Sequence, residues 1–223
     1  NDEIETALAI LKNPAIEVPS STSRFMGSIE KHAADRGKEF ADALFEKLRN
    51  FKPDTKFSYM PSRYKQLKAI SKAIHNLPKG AANKHFDDLM VLAKDPIARI
   101  YGYNALMRLM DGGSKGADAL LFLIRDAKKY HRKKKALDGQ WQHPYLAGMI
   151  GLCWMGKDGF KDQGVVDQLL ELAKQGTVLT GRGSYAGLTA NTLIVLGATR
   201  DQVRRVYQPA IKKLEKEKYR KAA

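Results

Sequence analysis

The chain holds a single cysteine, Cys153, in 223 residues, so no disulfide can form within it. Long apolar runs are missing too: none approaches the roughly 20 residues that a membrane-crossing helix needs. Acidic residues are scarce against basic ones, 24 to 39, which leaves a net charge of +15. No segment sustains the period-two alternation of a half-buried strand, which excludes a substantial sheet. His32, His75, His85, His131 and His143 lack metal-ligand spacing with Cys, Asp or Glu, so no metal and no cofactor is expected. The first residue is Asn1 and not Met, which leaves open a removed leader or tag, and with it export or a cytoplasmic location.

What is present is helical periodicity and positive charge. The charge is uneven: residues 1–50 sum to −2, while 51–100 sum to +6, 101–150 to +5 and 201–223 to +5. A field of this kind favours association with nucleic acid, anionic lipid or an acidic protein, and carries no information about fold.

The periodic segments predict an all-α protein of antiparallel helix pairs. An N-terminal part, residues 1–61, carries helices and Pro-containing connectors. Stacked hairpins follow at 62–94, 95–137, 143–175 and 184–219. In the second hairpin, Asp95 suits an N-cap and Pro96 the first helical position, with Ile97, Ile100, Tyr101, Ala105, Leu106 and Leu109 as its apolar face. Gly112-Gly113 ends that run, and Ser114 opens a second helix through Ala117, Leu120, Leu121 and Ile124. Thr199 and Gln202 have capping-box spacing.

Three helices share a small residue, Leu, two residues, and Leu or Met: Ala105-Leu106…Leu109, Gly151-Leu152…Met155 and Thr192-Leu193…Leu196. The three leucines are 46 and 41 residues apart. The pattern over about residues 80–215 resembles HEAT or armadillo repeats, whose regular Asp and Arg are matched in part by Asp95 and Arg99. The resemblance implies a short, curved, right-handed α-solenoid whose concave face binds a partner. A compact helical bundle is the alternative fold.

Two basic faces are the candidate binding residues. Lys128, Lys129, Tyr130, His131, Arg132, Lys133, Lys134 and Lys135 form the densest positive tract, at the end of a helix, with Trp141 following. Arg63, Lys65, Lys68 and Lys72 line one side of their own helix. Clustered cations displace counterions from a polyanion, and aromatic rings offer faces for bases to stack on. These residues predict binding of RNA or DNA without catalysis. A basic scaffold docking an acidic protein is the second reading, and it expects an exposed apolar patch. Arg182, Gly183 and Ser184 precede a helix and form a weaker candidate anion site.

The third reading is an enzyme acting on nucleic acid, and the one constellation for it is Asp138, Trp141 and His143, in a loop beside the basic tract. HEAT-like DNA glycosylases place an aspartate and aromatics in a basic groove. The analogy is at the level of fold and transfers no residue. Cys153, between Leu152 and Trp154 on an apolar helix, reads as a packing residue.

Overall fold

The computed structural model of the chain describes residues 2–26, 36–131, 142–174 and 183–208, with the backbone alone at 127–131, 142 and 183–186. Among the described residues the protein is all-helical and contains no strand. In chain order the main helices are α1 (Asp2–Lys12), α2 (Gly37–Arg49), α3 (Lys65–His75), α4 (Phe86–Lys94), α5 (Ala98–Tyr101), α6 (Tyr103–Leu106), α7 (Gly113–His131), α8 (Gln142–Lys157), α9 (Gln163–Lys174) and α10 (Gly183–Leu196). Residues 200–208 form a further helix. Packing follows the chain: α1 lies on α2, α2 on α3, α3 on α5 and α6, α7 on α8, and α8 on α10.

The helix ends form where the local chemistry calls for them. The Asp95 carboxylate accepts from the backbone N–H of Ile97 and Ala98, both at 2.8 Å. Thr199 and Gln202 close the reciprocal capping box, at 2.8 and 3.2 Å. At the end of α10, Gly197 turns with φ +113°, and Ala198 N–H donates to the Leu193 carbonyl at 2.9 Å.

The hairpin opening at Asp95 departs from the expected continuous helix. It divides into α5, α6 and a 3-10 segment, Met107–Gly112. The cause lies on α3. Ser71, fully buried, donates its hydroxyl to the Gly102 carbonyl at 2.7 Å and accepts from the Ala105 N–H at 2.8 Å. A side-chain hydroxyl thus replaces part of the backbone ladder at the break. Gly102 allows a close approach there: a Cβ would sit 2.9 Å from Leu92 Cδ1 and Cδ2, and Leu92 would have to shift. The helix expected to start at Ser62 is likewise split, into a turn at Met60–Arg63 and α3, with Tyr64 between them.

Leu106, Leu152 and Leu193 are all fully buried in one apolar cluster. The small residues beside them allow close helix approach. A Cβ on Gly151 would meet Leu120 of α7 at 2.8 Å, and one on Gly156 would meet the Val195 backbone of α10 at 2.8 Å. Cys153 is buried, as its apolar setting suggests, and its sulfur accepts from the Asn191 amide at 3.3 Å.

Candidate nucleic-acid interface

The lysines of α3 follow from simple helix geometry. Leu67, Ile70, Ser71 and Ile74 turn inward and are buried, so Lys65, Lys68 and Lys72, at i, i+3 and i+7, share the opposite side. Lys65 and Lys72 are exposed, and Lys68 is half-buried. Lys68 lies over the Tyr101 ring, 5.2 Å from its centroid, and Tyr101 in turn stacks on Tyr64 at 4.6 Å. Tyr101 is itself buried, so this pairing fixes the lysine stem and leaves no free ring.

Several cations elsewhere are neutralised by carboxylates. Arg36 pairs with Glu5 and Glu39, Arg49 with Asp88, Lys79 with Asp158 and Lys84 with Asp42. Arg99 and Arg108 are buried and meet Asp126 at 2.6 Å and Asp111 at 2.7 Å. Arg63, Lys65, Lys68 and Lys72 make no ion pair with a carboxylate among the described residues. The Arg63 guanidinium instead donates to the Phe57 carbonyl, tying the 52–59 loop to the start of α3.

The dense tract falls at the end of α7. The backbone of Lys128, Lys129, Tyr130 and His131 completes that helix, while Arg132, Lys133, Lys134, Lys135, Asp138 and Trp141 lie outside the described residues. Asp126, two positions before Lys128, meets Arg99 of α5, and Tyr101 of the same short helix carries Lys68. α5 therefore contacts both basic elements. Of the anion candidates, Arg182 lies outside the described residues, and Gly183 and Ser184 form the first helical positions of α10.

His143, the described member of the suggested catalytic group, is structurally committed. Its Nδ1–H donates to the Ile100 carbonyl at 3.2 Å, and its ring stacks on Tyr103 at 4.5 Å. Burial holds its pKa below the ordinary histidine value; the hydrogen bond to Ile100 opposes this, and the charge of Lys68 adds to the lowering.

Two features of the structure lie outside the candidate residues. One is a cleft of about 330 Å³ at the far end of α3, lined by His75, Asn76, Lys79, Arg108, Trp154 and Asp158. His75 stacks on Trp154 at 5.3 Å, and burial, aided by the Arg108 charge, lowers its pKa. Behind it, burial raises the pKa of Asp111 although Arg108 is its neighbour. The His75–Trp154 stack joins residues far apart in the chain, and no local signal announces it. The other is the loop before α3, where Phe57 is 51% and Tyr59 59% exposed. Its signal was available: two aromatics beside Lys56 in a stretch bounded by Pro53 and Pro61.

Among the described residues no group of three or more His, Cys, Asp and Glu side chains is arranged to hold a metal ion. No described helix is long and apolar enough to cross a membrane. The chain matches no family model, no curated protein and no solved structure.

Proposed function

We propose that this protein is a binding protein that uses a basic helical surface to hold a polyanion, RNA or DNA, by its phosphates. The observation that carries the reading is the alignment of Lys65, Lys68 and Lys72 on one side of α3, with Arg63 in the turn just before it, none of them paired with a carboxylate among the described residues. Cations held beside one another and left unneutralised raise local positive potential and favour counterion release on phosphate binding. In the sequence, the tract from Lys128 to Lys135 adds further positive charge to the total available for such a ligand.

The helical array belongs to the same proposal. Successive helices pack mainly on near neighbours in sequence, as expected of a short HEAT-like stack, and the alternative is a compact bundle with the same pairings. The acidic-partner reading expects a contiguous exposed apolar patch. Among the described residues outside the 52–59 loop, the exposed large apolar side chains are Ile16, Val91 and Ile194, from separate elements, which gives that reading less support.

Charge reversal tests the proposal. The triple variant Lys65→Glu, Lys68→Glu and Lys72→Glu should bind a labelled oligonucleotide at least roughly tenfold more weakly at low salt. Unchanged affinity in a folded variant would remove α3 from the interface.

A further inference from the structure

The exposed rings of the 52–59 loop need an explanation, because large aromatics normally supply core area. Phe57 and Tyr59 are each more than half exposed. They are nevertheless held on an anchored loop. Asp54 N–H donates to the Arg63 carbonyl at 3.1 Å, the Asp54 carboxylate accepts from Lys56 N–H at 2.9 Å, and the Arg63 guanidinium binds the Phe57 carbonyl. The neighbouring Lys52, Lys56 and Lys65 are exposed, and none pairs with a carboxylate among the described residues. The loop thus presents two aromatic rings at the head of the α3 lysines, on a backbone fixed to that helix.

We propose that Phe57 and Tyr59 form a stacking platform for unpaired bases, so that the ligand of the α3 face is a single-stranded nucleic acid. The inference rests on the polyanion reading and narrows it to one form of ligand. Stacking needs a free base face, which a duplex hides, while the lysines need only phosphates spaced along a strand. The pairing of rings with cations also favours this ligand over a lipid surface. Membrane-surface binding draws on a broad apolar face, and the loop offers two rings amid charge.

The test uses the full chain, a short labelled single-stranded RNA, the duplex of the same sequence and vesicles containing anionic lipid. The double variant Phe57→Ala, Tyr59→Ala should lose roughly 5- to 100-fold in affinity per stacked ring for the single strand and leave duplex binding unchanged. The conservative pair Phe57→Tyr, Tyr59→Phe should restore single-strand affinity. Both variants should keep the wild-type thermal midpoint, since the rings contribute little to the core. Equal affinity of wild type and the alanine variant for the single strand would overturn the platform and leave the lysine reading standing, as would an equal loss on both RNA forms. Wild-type binding to vesicles with none to either RNA would overturn both.

Discussion

Replacing Ser71 with Ala removes one oxygen from the core and should reveal how the α5–α6 break is held. The hydroxyl makes two neutral hydrogen bonds, to Gly102 and Ala105, in a fully buried position. At about 1 kcal/mol each, their loss amounts to about 2 kcal/mol. The cost does not reach the full penalty of two orphaned groups, because Ala105 N–H also donates to the Gly102 carbonyl at 3.1 Å and that contact survives. For a chain of this length, about 2 kcal/mol corresponds to a fall in thermal midpoint of roughly 4–8 °C. Urea unfolding followed by circular dichroism gives the free energy directly. A loss below about 0.5 kcal/mol would refute the idea that the hydroxyl splices the two short helices, and would assign the break to Gly102 alone.

Two further outcomes can be measured on the same protein. Leu152→Ala, in a fully buried position of α8, should cost about 2–5 kcal/mol in urea unfolding, and a loss under 1 kcal/mol would contradict its place in the core. Stability should also fall on mild acidification. His75 and His143 both have pKa values held below 6.5, chiefly by burial. The unfolded chain therefore takes up protons first. Stability is full above about pH 6.5 and is lost as pH falls through the lower folded values. A thermal midpoint that stays flat or rises between about pH 7 and 5 would contradict the burial of these rings.

Much of the helical framework was legible because it is written locally. A cap needs only its own few residues, so Asp95 and the Thr199–Gln202 box could be read directly. The leucines at 106, 152 and 193 showed themselves by periodicity and are buried. The interruption at Gly102 was illegible because its cause, Ser71, is 31 residues away and looks like an ordinary polar helix residue. Arg99 is buried against Asp126, a carboxylate 27 residues away that only the fold brings to it. The candidate interface was half legible. Helical spacing put Lys65, Lys68 and Lys72 on one side, whereas the lack of a carboxylate partner is a property of the assembled surface. Phe57 and Tyr59 were missed because aromatic residues are expected to point inward.

The most direct test of the account is the salt dependence of binding to a single-stranded RNA. Three lysine–phosphate contacts on a single strand give a slope of log affinity against log salt near −2, about a 20-fold loss between about 50 and 200 mM salt. The account predicts a slope at least that steep for the wild type, reduced by about 2 in the triple glutamate variant of α3. A slope near zero, or one that the variant leaves unchanged, would contradict it.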